Sequence, residues 1–491
     1  MKKVFLVIDS GTTKIKAALI ASNGREIDMA SEYITTHSPF IGASEMDMNE
    51  VWQTVCKAVC RLHQNNQSVW NNIVGVGVTA QGDGAWLVDK DGNPVCNAIL
   101  WNDTRAKAMV DLDYDAINKI CSGYCTTPLF AGAAPIILKW MKANHPDKYK
   151  KIHMVLHCKD WINFKMTGQL STDWTDASTS LTDIFTNKYV YEILDALDIA
   201  ETKGKFPQIL SPTAIVGRIT PQAMEQLHVK AGTPVIAGAL DVISVAVGCN
   251  VKESGEKGSI LGTTLCNYVA LDRQDVKNDY SVGSILCHIK KGKYIRLMAA
   301  LSGASTLDWV QKEILNKENY ADIELKVAKI PIGSQGVFYH PYIFGERAPF
   351  RNDFACGGFY GITASHTKYH LARAAYEGLA LSMYDCYNHL PQGKNGINVA
   401  GGASQSDMLC QIISDCLGQP VIRKNSKELG ITGIGEMMRI AWGLSEITNI
   451  SDEDNICFKP NYTNHIKYKQ LYRTFTNLRQ YIAPFWEERM M

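Results

Sequence analysis

The chain has 491 residues, 46% of them hydrophobic and 20% charged, which excludes a disordered or fibrous protein and asks for two large domains or three smaller ones. Its 50 Lys and Arg balance 49 Asp and Glu, so no basic field exists to collect nucleic acid or an anionic membrane surface. No apolar run approaches the roughly 18 residues of a membrane span, and the fourteen cysteines form no paired CxxC knuckles, so they read as reduced thiols in a cytoplasmic protein.

Residues 3–20 alternate like two strands joined by a tight turn at Gly11-Thr12-Thr13. Asp9 and Gly11 break the apolar run, so it reads as strand-turn-strand rather than as a signal peptide. Asn23-Gly24 gives a second turn, a helical stretch covers Val51 to His63, and residues 71–95 then read as strand, polar loop, strand and an Asp91-Gly92 turn. Sheet alternating with helix means α/β. Residues 105–235 are mostly helical in pattern, broken at Pro128, Pro135, Pro146, Pro207, Pro212 and Pro221, with few polar clusters, and read as an inserted, largely structural region.

The segment KGSILGTTLCNYVALD at 257–272 echoes FLVIDSGTTKIKAALIA near the start. Two strand-GTT-strand units half a chain apart predict two similar lobes, each offering one turn to a shared ligand, over residues 1–246 and 247–491. Further on, INVAGG at 397–402 followed by SQSDMLCQIISDCLG predicts strand, diglycine turn and helix, and YKQLYRTFTNLRQYI predicts a final amphipathic helix packed by its aromatic stripe.

Gly11-Thr12-Thr13 suits a phosphate clasp, because a tight turn aims N–H groups at an anion and the hydroxyls add donors. It is not a Walker A loop, since a strand follows rather than a helix. Gly262-Thr263-Thr264 is its twin. Asp9 at the strand end is placed to hold Mg2+, directly or through water. Asp241 lies between a strand end and a small-residue helix, where an aspartate is either a helix cap or a base that accepts the proton of an attacking hydroxyl. Gly401 and Gly402, with Ser406, let a nucleotide approach the start of a helix.

In order and together, these pieces resemble the FGGY family of carbohydrate kinases. The segment GGFYGITASHTKYHLARAAYE at 357–377 is similar to the family's C-terminal signature, and FGERAPF at 344–350 is similar to a loop of its xylulose-type members. The resemblance implies two RNase H-like, actin-like ATPase domains with a cleft between them, the first mainly for sugar and the second mainly for ATP. It implies Asp241 as catalytic base, Asp9, Gly11, Thr12, Thr13 and Lys14 around the metal and phosphates, and Gly262, Thr263, Thr264, Gly401, Gly402 and Ser406 along the nucleotide. Helix 428–443 resembles the glycine-rich helix over the adenine, with Ile434, Glu436 and two methionines bulkier than usual. ILWNDTRA at 99–106 and the loop at 79–84 imply a substrate site of Gln81, Gly82, Asp83, Trp101, Asn102, Asp103, Arg105 and Asp241.

Asp83 stands where xylulose kinases carry His. A carboxylate accepts hydrogen bonds from neighbouring hydroxyls and disfavours an anionic substrate, so the expected substrate is a neutral open-chain ketopentose, xylulose or L-xylulose, or a polyol such as erythritol. ATP and Mg2+ are the expected cofactors, and association into a homodimer is left open. The rival readings are an actin-like ATPase that acts without sugar and a sugar-responsive regulator that has lost catalysis.

Overall fold

The apolar alternation at the N-terminus folds as a ribbon. β1 (Val4–Ser10) and β2 (Lys14–Ala21) pair antiparallel across Gly11-Thr12-Thr13, and β3 (Glu26–Tyr33) extends the meander past Asn23-Gly24. Helix α1 (Met48–Asn65), capped by the Asp47 side chain, crosses over to β4 (Ile73–Ala80), which lies parallel to β1. The lobe is completed by α2 (Cys158–Thr167), β5 (Ser171–Asp173), α3 (Trp174–Ala177), β6 (Ile215–Arg218), β7 (Pro234–Ile236), β8 (Ala239–Leu240) and α4 (Asp241–Gly248). Its sheet runs β6-β7-β4-β1-β2-β3, with β8 beside β4. Val4 to Ile8 of β1 are buried on both faces, as an unbroken apolar run in a central strand requires.

This computed structural model describes residues 3–124, 127–277, 282–424, 426, 428–444 and 455–489. The second lobe opens with β9 (Lys257–Leu261) and β10 (Leu265–Asp272), the second strand-GTT-strand unit, then β11 (Ser284–Cys287), β12 (Lys293–Ala300) and the helices α5 (Ser305–Glu313), α6 (Tyr320–Val327) and α7 (Lys368–Asn388). After them come β13 (Ile397–Ala400), α8 (Asp407–Leu417), β14 (Val421–Arg423), α9 (Leu429–Ala441), β15 (Ile456–Phe458) and α10 (Tyr462–Glu488). The sheet order is β11-β12-β10-β9-β13-β14-β15.

Without the edge strand β11, the two sheets are the same object. Each has three antiparallel strands, then two added in parallel, then an antiparallel edge. The internal echo in the sequence is therefore a duplicated fold. Among the described residues every cysteine is a free thiol, and no helix is long and apolar enough to cross a membrane.

The reading of residues 105–235 as a largely structural insert needs correcting. β6 and β7 from this stretch join the main sheet, and α2 with α3 buries Lys159, Asp160, Asp173 and Asp176 at 0–1% exposure. Charges are taken out of water only where they are paired or used, so this is a polar cluster the sequence reading passed over.

The lobes are joined where α4 of the first crosses α9 of the second. An ideal Cβ on Gly433 would lie 1.9 Å from the Ser244 carbonyl oxygen, and one on Gly77 of β4 would lie 2.7 Å from the Ile434 side chain. The bulk of Ile434, Met437 and Met438 therefore fills the core between the lobes, and Glu436 bonds Arg439. Alanine in a helix gains about 1 kcal/mol over glycine, but the clash here is with backbone, and overpacking costs about 1–3 kcal/mol. Gly433→Ala should lower the unfolding temperature, measured by calorimetry. An unchanged or raised value would mean that the two helices are not held backbone to backbone.

Candidate active site

Asp241 is the first residue of α4, delivered by β8. Thr79 at the end of β4 fixes this junction by donating to the Ala239 carbonyl at 2.8 Å and bonding the Ser244 hydroxyl at 2.8 Å. The Asp241 carboxylate accepts the Val242 N–H at 2.6 Å. Burial pushes its pKa up to about 7 against that bond, and the charges of Asp9, Asp176 and Asp83 add to the rise. Four carboxylates thus converge on one region.

Asp9 ends β1. Burial pushes it up to about 6, opposed by Lys16 and assisted by Glu428. Lys16 Nζ lies 3.8 Å from Asp9 Oδ2 and 2.5 Å from Glu428 Oε2. Glu428 stands just before α9, and an ideal Cβ on Gly430 would lie 3.7 Å from Asp9 Oδ2, so the N-terminus of a second-lobe helix reaches the first lobe's carboxylate. The cation beside Asp9 is Lys16. Lys14, named from the sequence, lies over the Tyr33 ring at 4.5 Å. Strand alternation puts both lysines on one face, so only the tertiary contact separates them.

The two GTT turns start alike but differ by one residue, four residues joining Ser10 to Ile15 and three joining Leu261 to Leu265. Gly11 N–H closes the first onto Lys14 at 3.1 Å and Gly262 N–H closes the second onto Thr264 at 3.2 Å. The N–H groups of Thr12, Thr13, Thr263 and Thr264 make no hydrogen bond among the described residues, which leaves them for a ligand. Gly401 has φ +91°, and a Cβ there would meet the Leu261 carbonyl at 2.5 Å, whereas Gly402 faces open space. Ser406 caps α8: its hydroxyl accepts Leu409 N–H at 3.0 Å and donates to Glu324 at 2.6 Å. Its one proton is committed to the protein.

On the substrate side, Asp83 has φ +54° and is followed by Gly84 at +74°. An aspartate in the left-handed region costs about 1–2 kcal/mol, and such strain persists where the surroundings enforce it. Burial pushes Asp83 up to about 6, against the pull of His157, the Thr179 hydroxyl and Arg347. Arg347 comes from the second lobe. Its guanidinium lies 5.6 Å from the Trp101 ring centre and donates to the Ala299 carbonyl at 2.8 Å, while Glu346 Oε1 fixes the loop by accepting Leu301 and Arg347 N–H at 2.9 Å each.

Trp101 therefore faces this corner, and Asn102 is exposed. Asp103 and Arg105 are a correction to the expected sugar site. Asp103 accepts Ser44 N–H at 2.7 Å, Arg105 pairs with Asp103 at 2.8 Å and Glu45 at 2.7 Å, and its guanidinium lies between the rings of Phe40 and Trp140. Arg105 lines a cavity of about 350 Å3 with Glu45, Trp140 and Lys148 that contains none of the four carboxylates. A sequence motif gives these residues no separate directions; the fold does.

Sequence reading also missed the cations that balance the site. Lys159 donates to Asp160 at 2.6 Å and lies 3.2 Å from both Asp173 and Asp176, which hold it charged despite burial. Burial works against the His157 imidazolium, but its bond to Asp160 and the charges of Asp176, Asp160 and Asp83 raise it to about 9. The available signal was a Lys-Asp pair beside the apolar residues Cys158, Trp161 and Ile162. Among the described residues no three His, Cys, Asp or Glu are placed to hold a metal together.

Comparison with known proteins fits this geometry. The family model described as the FGGY family of carbohydrate kinases matches the chain in two parts, its N-terminal domain over residues 4–248 and its C-terminal domain over residues 259–439. The chain is 30% identical over 485 residues to a probable L-xylulose kinase of Haemophilus influenzae, covering 96% of this chain and 97% of that protein. It is 28% identical over 490 residues to an L-xylulose/3-keto-L-gulonate kinase of Escherichia coli, with 97% of each covered. A ligand-bound xylulose kinase from Lactobacillus acidophilus superposes with a TM-score of 0.91 at 24% identity over 99% of both chains, a likeness of fold.

A buried carboxyl with a raised pKa stabilises the folded state below its unfolded pKa, near 4, and that contribution is lost as pH rises through the folded value, near 7 for Asp241. Removing the charge removes the loss. Asp241→Asn should raise the unfolding temperature at pH 8, by an amount that shrinks as pH is lowered to 5. A variant no more stable than the parent at pH 8 would show that Asp241 is not strained by burial.

Proposed function

The chain belongs to the FGGY family of carbohydrate kinases, and on that premise we propose that it transfers the γ-phosphoryl group of ATP to a hydroxyl of a neutral open-chain sugar, a ketopentose or a polyol, with Asp241 as the base. The observation that carries this reading is the position of Asp241, delivered by β8 beside β4 and feeling the charge of Asp9 next to one GTT turn and of Asp83 in the loop after β4. A base needs the acceptor hydroxyl on one side and phosphate on the other, and Asp241 has both neighbours.

The turns at 11–13 and 262–264 hold phosphate oxygens with their unspent N–H groups, and Gly402 leaves room for the nucleotide. Asp9 suits Mg2+, directly or through water, because that ion usually takes one or two protein carboxylates and completes its shell with water and phosphate, where it neutralises developing charge. Lys16 adds a cation at the same place. Little covalent work remains for the protein, so positioning and charge balance carry the rate.

Asp83 accepts hydroxyl hydrogen bonds, with the Arg347 guanidinium, which lies over the Trp101 ring, as a nearby cation. The carboxylates Asp9, Asp83, Asp176 and Asp241 disfavour a substrate that brings its own carboxylate, so L-xylulose, D-xylulose or erythritol is preferred over 3-keto-L-gulonate or gluconate. We place the enzyme in the cytoplasm, where its free thiols stay reduced.

Asp241→Asn should remove turnover by orders of magnitude with ATP affinity held within a few fold. In the parent enzyme kcat/KM should fall on the acid side, because the base must be ionised, with a limb near pH 7 that belongs to the coupled carboxylates together. A limb at the ordinary carboxylate range, or full turnover by the Asn variant, would sink the assignment.

Asp83→Ala should lower kcat/KM on the best sugar about ten- to a hundredfold, the worth of a charge-assisted hydrogen bond of about 1.5–3 kcal/mol. Asp83→His should shift relative preference toward D-xylulose. A coupled ADP-release assay over the five compounds decides both, and ADP release that no sugar stimulates would mean an ATPase instead.

A further inference from the structure

Three carbonyl or carboxylate oxygens near Asp241 are buried with neither a hydrogen-bond nor an ion-pair partner: Gln81 Oε1, Asp83 Oδ1 and Asp176 Oδ1, while Asp176 Oδ2 also lacks a hydrogen bond but has Lys159 Nζ at 3.2 Å. They are neighbours. Gln81 and Asp83 flank Gly82, and an ideal Cβ on Gly82 would lie 3.2 Å from Asp176 Oδ1. A buried acceptor left unpaired costs about 1–3 kcal/mol, so three in one corner call for donors from outside the chain.

The surroundings explain why Asp176 is aimed there. It sits on α3, whose N-terminus is capped by Asp173 accepting Thr175 N–H at 2.7 Å. The Thr175 hydroxyl accepts Leu240 N–H at 3.0 Å, which ties α3 to the residue before Asp241. Lys159 lies 3.2 Å from Asp176 Oδ2 and leaves Oδ1 unmatched. Lys159 has Asp160 and Asp173 as further partners, so it does not need Asp176 for its own neutralisation. His157, held by Asp160 through Nδ1 and charged, feels both Asp176 and Asp83.

We propose that Asp176 is a specificity-determining residue, accepting a hydrogen bond from one substrate hydroxyl while Asp83 accepts another. The pairing suits neighbouring hydroxyls of an open-chain polyhydroxylated substrate and rests on the kinase reading above. Hydroxyls are the matching chemistry because each brings a proton to an acceptor without bringing charge into a corner already rich in carboxylates. A charged ammonium would be attracted by the same oxygens, but His157, Lys159 and Arg347 already supply the local positive charge.

The test uses L-xylulose and D-xylulose, together with analogues that each lack one hydroxyl, on the parent enzyme and on Asp176→Ala, with folding checked by circular dichroism. In the parent, analogues missing a bonded hydroxyl should lose about ten- to a hundredfold in kcat/KM. In Asp176→Ala the penalty should vanish for one analogue only, while the other penalties and the KM for ATP stay within a few fold. If Asp176→Ala does not fold, Asp176→Asn serves, with the single penalty reduced several-fold instead of lost. Equal loss on every analogue, or unchanged penalties throughout, would show that Asp176 is structural and overturn the proposal while leaving the kinase reading in place. Failure of the parent to phosphorylate either sugar would overturn this proposal together with its premise of an open-chain ketopentose.

Discussion

Four carboxylates in one poorly hydrated region set the terms for the rest of this molecule. Burial raises the proton affinity of Asp9, Asp83, Asp176 and Asp241, and the charges of the other three raise Asp241 further. Such a group is stable only with cations at fixed points around it. Lys159 and His157 supply them from the first lobe, Arg347 from the second, and Lys16 from β2, paired across from Asp9. Every one of these is anchored by a further carboxylate or backbone carbonyl: Asp160 for His157 and Lys159, Glu428 for Lys16, Ala299 for Arg347. These buried acids are thus held in place by cations that are themselves held in place.

Duplication explains how the two halves of the site reach one another. Each sheet presents its GTT turn at the end of its central strand, and the crossing of α4 with α9 brings the two lobes backbone to backbone. Gly433 and Gly77 permit that approach, so residues remote from chemistry determine whether Gly430 and Glu428 arrive beside Asp9.

Much of this was legible in the sequence because it depended on local pattern. Strand-GTT-strand units, the diglycine turn before α8 and the aspartate opening α4 are each contained in one short stretch of chain, and all formed as read. What the sequence did not reveal depends on direction in space. Asp103 and Arg105 share a motif with Trp101 yet turn toward Glu45 and Ser44, Ser406 spends its hydroxyl on Glu324, and Lys16 rather than Lys14 meets Asp9. Lys159, Asp173 and Asp176 are separated by up to 17 positions and look like ordinary helix and cap residues until the fold packs them together.

The left-handed backbone at Asp83 limits the alphabet from which this position can be drawn. Among residues with side chains, only aspartate, asparagine and histidine enter that region with any frequency, and β-branched or bulky residues are nearly excluded. All three are hydrogen-bonding groups of similar reach. On the role proposed for Asp83, diversification of sugar preference at this point is channelled: the backbone filters out apolar replacements before selection acts on catalysis, and a library built here is best restricted to those three residues and glycine.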